Sequence, residues 1–289
     1  MTTNQDPAHF TTTSFSQRPV VVCFSGLDPS GGAGIQADIE SLNAAGCHPA
    51  PIITCVTAQN TQQVHSWHPI APGMLSQQFR MIAQDMPISA IKIGMIGTFE
   101  ALEVIENCLR DHPTIPVILD PIISSGSGQQ LAQYQLHTQM LKRLIPLTTL
   151  VTPNSDELEI LIGHSVEAET GAFHLLGLGC TAVAVTGGHY NTTKVRNRLW
   201  QDYQLKYDRS WNRIAGQFHG TGCTFSASAA GFIGQGMTIS QAVLKADEFC
   251  WQAISKAERP GQGQLIPHRT FWLNRSPRRS VCTTDQTTH

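Results

Sequence analysis

Short runs of β-branched and apolar residues alternate along the chain with longer segments in which apolar residues recur every three or four positions. The short runs predict six strands, at residues 20–25, 51–56, 88–93, 116–120, 149–152 and 182–186. The longer segments predict six helices, at residues 34–46, 72–85, 98–111, 135–145, 154–162 and 167–178. Strands that alternate with helices form right-handed crossovers, so the pattern predicts a doubly wound α/β fold: a mostly parallel central sheet with helices on both faces.

The pattern changes after residue 190. Residues 194–200 and 204–211 predict a hairpin, which we call the flap, and two helices follow at residues 221–235 and 238–257. No internal repeat or long linker divides the chain. We therefore expect one domain at residues 19–274, between a disordered N-terminal arm at 1–18 and a disordered C-terminal tail at 275–289.

Composition excludes several classes of protein. The formal net charge of −2 gives no global attraction to nucleic acid or to a membrane surface, and we expect neither as a partner. No apolar run approaches the roughly 20 residues of a membrane span, and the first residues do not form a secretory signal. The eight cysteines form no CxxC pair, which argues against a zinc site or a disulfide framework. This cysteine usage predicts a reducing, cytoplasmic location.

Small and polar residues follow the predicted strands. The first strand runs into GLDPSGGAG at 26–34, the second into TAQNT at 57–61, and the later ones into Gly94-Met95, Asp120, Asn154 and Gly187-Gly188. Ligands of a doubly wound sheet bind outside the carboxyl ends of its strands. The sequence therefore predicts a binding site at this edge.

The segment HGTGC at residues 219–223 precedes an Ala/Ser-rich predicted helix. Gly220 and Gly222 let the backbone approach a ligand closely, and unpaired N–H groups at the helix start attract an anion. Residues 220–223, which include Thr221, are therefore predicted to form an anion hole without a Walker lysine. A helix N-terminus lowers the pKa of a thiol, so Cys223 is expected to be a base or a polar orienter. The alternative is a glycine-rich helix entry with an inert cysteine.

Three acidic positions have both a functional and a purely structural interpretation. Glu157 lies three residues after Asn154, which predicts either a capping box or a site for Mg²⁺ and its waters. Asp120 ends an apolar strand, where a carboxylate is costly unless its charge is satisfied, and a carboxylate at the end of a strand is often functional. Asp38 lies on the first helix and can bind a hydroxyl group or be a solvated charge. His65 and His68 are expected in exposed strand or loop rather than at a metal.

Taken together, GLDPSGGAGIQAD, TAQNT, KIGM, DP, TPNSDE, TGGH and HGTGC resemble, in the same order, the hydroxymethylpyrimidine/phosphomethylpyrimidine kinases of thiamine biosynthesis. These are ribokinase-like enzymes, and the resemblance runs from about residue 19 to 273. It implies two successive phosphorylations of 4-amino-5-hydroxymethyl-2-methylpyrimidine, first to the monophosphate and then to the diphosphate, each using ATP and Mg²⁺. It also implies a homodimer.

The resemblance assigns roles to particular positions. Gln59 is expected to hydrogen-bond the aminopyrimidine, Met95 to lie against its ring, and Asp38 and Gly26 to line the substrate site. Cys223 falls at the position of the base, within the anion hole. The expected ATP and Mg²⁺ positions are Asn154, Glu157, Asp120, Thr186 and Gly188, with Mg²⁺ held through Glu157 and waters.

One position departs from the family pattern. Some members have lysine where this chain has Thr186, which can bind phosphate but brings no charge. We hypothesise that the flap supplies the cation from Lys194, Arg196 or Arg198. Unchanged rates of both phosphorylations after alanine substitution at each would rule this out.

Other functions remain open on the sequence alone. A pyridoxine or pyridoxal kinase also phosphorylates a ring hydroxymethyl group, and a non-catalytic pyrimidine-sensing protein would use the same pocket without ADP release. A cysteine hydrolase would need a histidine beside Cys223, for which His219 is the candidate. Retention of all four anion-hole residues favours a kinase over a sensor.

Overall fold

A computed structural model of the protein describes residues 17–123, 132–187 and 192–273. Its strands are β1 Val20–Leu27, β2 His48–Gln59, β3 Val64–Pro69, β4 Ile88–Ile93, β5 Val117–Leu119, β6 Leu150–Val151, β7 Ala182–Val185, β8 Lys194–Gln201 and β9 Gln204–Asn212. Its α-helices are α1 Gly34–Ala44, α2 Pro72–Asp85, α3 Phe99–Asp111, α4 Leu136–Arg143, α5 Ser155–Ile162, α6 Ala168–Gly177, α7 Thr221–Gly234 and α8 Ile239–Ser255. A 3₁₀ turn spans Ile145–Leu147.

The nine strands form one sheet in the order β3-β2-β1-β4-β5-β6-β7-β8-β9. The pairs from β2 to β7 are parallel, whereas β3, β8 and β9 pair antiparallel at the two edges. The six predicted strands and the mostly parallel sheet are confirmed. The predicted flap is part of the main sheet, because β8 pairs with β7.

Alternate residues of the strands point into two separate cores. In β1, Val22 and Phe24 pack into the core that α2 to α6 cover, whereas Val21 and Cys23 face α1, α7 and α8. Side chains that alternate between two cores are expected of a strand in a sheet that is buried on both faces. Small side chains on the buried face of α7, such as Ala227, let this helix lie close to the sheet.

The strand order creates a crevice beside β1. The chain passes from β1 to β2 on one side and returns to β4 on the other, so the connections after β1 and β4 leave in opposite directions. Ligands of such sheets bind where the order reverses. Gly26 lies near the end of β1 and Met95 follows β4, and a Cβ placed on Gly26 would lie 3.0 Å from the Met95 Sδ. The fold thus brings these two predicted substrate residues together.

Several features fall outside the predicted pattern or outside the described residues. The sequence predicted His65 and His68 in exposed strand or loop. The structure places both in β3, which pairs with β2. Most of the predicted arm and tail lies outside the described residues, and the domain boundaries stay a prediction. Among the described helices, none has both the length and the apolar character needed to cross a bilayer.

Candidate functional site

The predicted anion hole is the turn that begins α7. Gly220 is the N-cap with a φ of +81°, and a Cβ there would lie 2.1 Å from the carbonyl oxygen of Gly32. Only glycine satisfies both conditions, so the turn and the GLDPSGGAG loop pack backbone to backbone. Thr221, Gly222 and Cys223 then present the first N–H groups of α7, which have no partner within the helix. Gly222 is exposed at this edge of the sheet.

Asp120 lies below this turn at the end of β5. A Cβ on Gly222 would be 3.7 Å from its Oδ1, and the Ser226 hydroxyl donates to its Oδ2 at 3.1 Å. Burial raises the pKa of Asp120, against the opposing charge of Lys92. The predicted anion hole and a buried carboxylate therefore lie beside each other.

The pKa of the Cys223 thiol differs from the expectation. Its side chain is buried, and this burial raises the pKa of the thiol to about 12. The prediction that the helix N-terminus lowers this pKa is wrong, because desolvation of the thiolate exceeds the stabilisation from the helix dipole. The thiol is therefore neutral in the protein without ligands.

Lys92 is a buried cation at the centre of the site. Its ammonium lies 2.9 Å from Asp38 Oδ1 and 4.0 Å from Asp120 Oδ2, and both Lys92 and Asp38 are inaccessible to solvent. Burial on its own would lower the pKa of Lys92, but the charge of Asp38 raises it above its ordinary value. The lysine therefore stays charged and neutralises part of the buried negative charge.

This pairing changes the interpretation of Asp38. The sequence left it as a hydroxyl ligand or a solvated charge, and the solvated charge is wrong because the side chain is fully buried. Its direct contact with a substrate stays a prediction. In this structure the carboxylate is engaged by Lys92 from β4.

Asp28 organises the loop that follows β1. Its Oδ1 accepts from the Ser30 amide at 2.8 Å, and its Oδ2 accepts from the Ala33 amide at 2.8 Å and lies 3.0 Å from His219 Nε2. Burial would raise the pKa of Asp28, but hydrogen bonds from His219 and Gln59 outweigh it and lower the pKa. Asp28 therefore connects the loop after β1 with His219, which precedes the predicted anion hole, and lies near Gln59, the predicted substrate residue.

His219 has no hydrogen bond to Cys223 among the described residues, since its Nε2 faces Asp28. His219 and Cys223, the pair that the hydrolase alternative requires, are therefore not joined in the described part of the chain.

An apolar wall completes the crevice beside β1. The Cys55 thiol lies 3.4 Å from the Met95 Sδ, and Trp67 and Ile122 pack against this cluster. Gly26 lies against the same two sulfur atoms. Gln59, at the end of β2, provides the polar edge. A flat ring with polar substituents on its rim matches such a surface.

The predicted nucleotide residues lie at the ends of β6 and β7. Asn154 and Glu157 form the capping box, with each side chain bonded to the other's backbone N–H at 2.9 Å. Thr186 forms a parallel bridge with Asn154, and its amide donates to Pro153. Burial raises the pKa of Glu157 well above its ordinary value, and the charge of Asp120 adds to the rise. Gly188 lies outside the described residues.

The three flap cations differ in their surroundings. Arg196 makes a two-pronged ion pair with Asp208 on the neighbouring strand. The Arg198 guanidinium lies 5.1 Å from the Trp200 ring centroid, and Lys194 is exposed. Their role toward phosphate stays a prediction. Unlike the two arginines, the Lys194 ammonium has no competing contact among the described residues.

Sequence reasoning did not single out Asp28, Lys92 or Arg269 as site residues. A signal existed for the first two, because Asp28 directly follows a buried strand and Lys92 interrupts an otherwise apolar one. Arg269 offered none, because it lies in irregular chain near the predicted tail. Its partners come from segments more than 40 residues away.

Comparison with known proteins identifies the family of this chain. The profile described as phosphomethylpyrimidine kinase matches residues 28–268. A hydroxymethylpyrimidine/phosphomethylpyrimidine kinase from Haemophilus influenzae is 35% identical, over 84% of this chain and 93% of that protein. A thiamine biosynthetic bifunctional enzyme from Arabidopsis thaliana is 33% identical, over 94% of this chain and 54% of that protein.

Solved structures agree with the sequence comparison. Phosphomethylpyrimidine kinase from Clostridium difficile is 28% identical with a TM-score of 0.71, covering 82% of this chain and all of the other. Bacillus subtilis pyridoxal kinase, in an ADP complex, is 25% identical with a TM-score of 0.80, covering 89% of this chain and all of the other. Because the family profile matches residues 28–268 and the Haemophilus influenzae protein is 35% identical over most of both chains, this chain belongs to the phosphomethylpyrimidine kinase family.

Proposed function

We propose that this protein transfers the γ-phosphoryl group of ATP to 4-amino-5-hydroxymethyl-2-methylpyrimidine, and then a second phosphoryl group to the resulting monophosphate. The observation that carries this proposal is the position of the turn at 220–223, between the apolar crevice beside β1 and the ends of β6 and β7. A phosphoryl group held there lies between a ring site and a nucleotide site. The names of the relatives support the choice of substrate.

The ring site uses one polar edge and one apolar wall. Gln59 provides two N–H donors and one acceptor for the edge of an aminopyrimidine, while Met95, packed on the buried Cys55, contacts its face. The hydroxymethyl group then points toward the anion-hole turn.

Charge on the transferred phosphoryl group is stabilised by the first N–H groups of α7. Cys223 is placed beside this group as a neutral thiol, which favours a role as polar orienter of the hydroxymethyl oxygen. Phosphoryl transfer depends mainly on positioning and electrostatics, so a strong base in the free protein is not required.

Mg²⁺ fits the residues at the nucleotide side. Glu157 is held by the capping box, and burial and the charge of Asp120 raise its pKa, so a divalent cation bound beside it would favour its ionised form. Mg²⁺ typically keeps several waters and takes one or two carboxylates together with substrate phosphates. When bound with ATP, it would neutralise charge on the phosphate oxygens. Glu157 is the residue that we propose to hold it, through water, with Asn154 and Thr186 beside the nucleotide.

A pyridoxal kinase is the second candidate, favoured by the similarity to the Bacillus subtilis enzyme. The two substrates can be compared directly by ADP release with Mg-ATP and either 4-amino-5-hydroxymethyl-2-methylpyrimidine or pyridoxine. We expect kcat/KM to be at least about 10²-fold higher for the pyrimidine, because an unmatched hydrogen-bonding edge costs this much or more. A higher kcat/KM for pyridoxine would make the second candidate the function. ADP release with neither substrate would favour the sensing protein.

Substitution of Gly222 by alanine tests the anion hole without disturbing the fold. The nearest atom to a Cβ there is an Asp120 oxygen at 3.7 Å, so the methyl group fits but projects into the space above that carboxylate. We expect kcat to fall by about 10–10²-fold through displacement of the phosphoryl group. The melting temperature should stay the same or rise, since alanine favours helix more than glycine does.

Gly73 provides a matched control, because it is also the second residue of a helix and a Cβ there meets nothing within 4 Å. Gly73→Ala should leave kcat unchanged. Wild-type kcat in Gly222→Ala would contradict the placement of the phosphoryl group.

We also propose a cytoplasmic homodimer. Seven cysteines among the described residues are free and buried, which is compatible with a reducing compartment. The outer edges of β3 and β9 have no strand partner among the described residues, and such edges are commonly covered in an assembly. Light scattering on the purified protein would give twice the 31.5 kDa chain mass for a dimer.

A further inference from the structure

Arg269 joins the two glycine-rich turns of the site. It is 1% exposed, and its guanidinium donates to the carbonyl oxygens of Gly32 and Gly220 and to the Thr224 hydroxyl at 2.7 Å. Its remaining nitrogen lies 3.3 Å from Glu40 Oε2. All three nitrogens of this buried guanidinium therefore have partners. Two of the partners lie in α1 or the turn before it, and two lie in α7 or the turn before it.

These contacts fix the direction of the peptide groups. In a peptide unit the C=O and N–H point in opposite directions. The Gly220 carbonyl accepts from the Thr224 amide at 2.9 Å and lies 3.5 Å from the Arg269 guanidinium, so the Thr221 N–H points the other way, toward the predicted anion hole. Thr224 reinforces this, because its hydroxyl accepts from Arg269 and donates to the same Gly220 carbonyl at 2.7 Å. The Gly32 carbonyl is held in the same manner, while the Ala33 amide donates to Asp28.

The segment that carries Arg269 is itself held at several points. Its Gly263 amide donates to Thr61 Oγ1 at 3.0 Å and its Gln264 amide to the Thr61 carbonyl at 2.8 Å. Leu265 exchanges backbone hydrogen bonds with Gln217 and His219 at 2.8 Å. Arg269 therefore approaches the turn from a segment fixed both to the predicted substrate loop and to the residues before the anion hole.

We propose that Arg269 is a positioning residue for phosphoryl transfer, which keeps the Gly32 and Gly220 carbonyls turned away from the phosphoryl group and the α7 N–H groups turned toward it. The inference rests on the proposed kinase function for its kinetic consequence. Without the guanidinium, the Gly32 carbonyl loses its charged donor and the Thr224 hydroxyl loses the donor that orients it toward Gly220, so the two turns can shift and bring a carbonyl oxygen toward the position where the anion must bind. Such a change lowers stabilisation of the transition state more than binding of the pyrimidine.

The kinetic test compares Arg269→Ala and Arg269→Lys with wild type. We expect kcat of Arg269→Ala to fall about 10–10²-fold, with KM for the pyrimidine changed by no more than about twofold. Guanidinium chloride at about 20 mM, far below its denaturing range, should restore kcat at least about threefold by occupying the vacated space. Arg259→Ala is the control, because this exposed arginine contacts Gly263 in the same segment. It should keep wild-type kinetics.

Hydrogen exchange of residues 220–224 gives a readout that does not depend on activity. The Thr224 amide, which donates to the Gly220 carbonyl at 2.9 Å, should exchange at least about tenfold faster in Arg269→Ala than in wild type, even if the wild-type protein phosphorylates neither substrate. In that event the kinase proposal fails while the positioning of the turn is still tested. Unchanged exchange and unchanged kcat would overturn the inference, as would a loss of kcat that guanidinium does not restore. If Arg269→Ala does not fold, Arg269→Lys decides, and wild-type kcat in that variant would overturn it.

Discussion

Replacing Lys92 by methionine is expected to lower the free energy of unfolding by about 3–5 kcal/mol at pH 7, as removal of one partner of a buried ion pair does. The loss arises because Asp38 and Asp120 then remain buried without their cation. Urea denaturation of wild type and variant measures it. Lys142→Met is the control, since this lysine is exposed on a helix and the same substitution there should change stability by no more than about 0.5 kcal/mol.

The effect of Lys92→Met should depend on pH in a defined direction. Burial already raises the pKa of Asp38, and removal of Lys92 raises it further. A carboxyl whose pKa is higher in the folded than in the unfolded state binds more protons when folded, so stability falls as pH rises through that interval. The variant should therefore recover part of its lost stability between pH 7 and pH 5.

The double variant Lys92→Met/Asp38→Asn isolates the pair. It should be less destabilised than the sum of the two single variants by about 1–3 kcal/mol, because the amide needs no counter-charge. Additive effects, or wild-type stability in Lys92→Met, would contradict a buried ion pair at this position.

Cys223→Ala is expected to lower kcat by about 10²-fold or more while the pyrimidine still binds. The thiol lies at the start of α7, beside Asp120, where it can orient the hydroxymethyl oxygen. Because its pKa is about 12, the protein without ligands holds a neutral thiol at pH 7. Steady-state kinetics together with calorimetric binding of the pyrimidine would separate the two effects.

The serine variant distinguishes an orienting thiol from a base. A hydroxyl keeps a donor and an acceptor, so Cys223→Ser should retain kcat within about tenfold of wild type. A thiolate base with a pKa of about 12 would instead make kcat/KM rise tenfold per pH unit from pH 7 to pH 9. We expect no such rise. Cys108→Ala, which removes a buried thiol from α3, should leave kcat unchanged.

The elements of this fold were predictable because the strands are buried on both faces. Runs such as Val20–Leu27 are almost wholly apolar, and the helices between them have clear periodicity, so their order implied a parallel sheet. Asn154 and Glu157 lie at the spacing of a capping box, which the structure confirms. Strand β3 was harder, because an edge strand with the sequence VHSWHP lacks a clean alternation. The antiparallel pairing of β8 with β7 also depends on contacts that local sequence does not encode.

The site was predictable where its chemistry is local and not where it depends on distant contacts. Residues 219–223 indicate an anion hole by themselves, because glycines and a helix start are sequence features. The pKa of Cys223 depends on depth of burial, which a helix N-terminus does not reveal. Lys92 is paired with a residue 54 positions away, and Arg269 reaches Gly32 across 237 positions. Such pairs follow from the folded arrangement of the strands and turns.

The most direct test of the central claim is the number of ADP molecules released per molecule of 4-amino-5-hydroxymethyl-2-methylpyrimidine, with mass spectrometry of the product. With excess Mg-ATP and limiting pyrimidine, the account predicts two ADP per pyrimidine and the pyrimidine diphosphate as the final product. One ADP and a monophosphate would contradict the second phosphorylation. No ADP from the pyrimidine would contradict the proposed function.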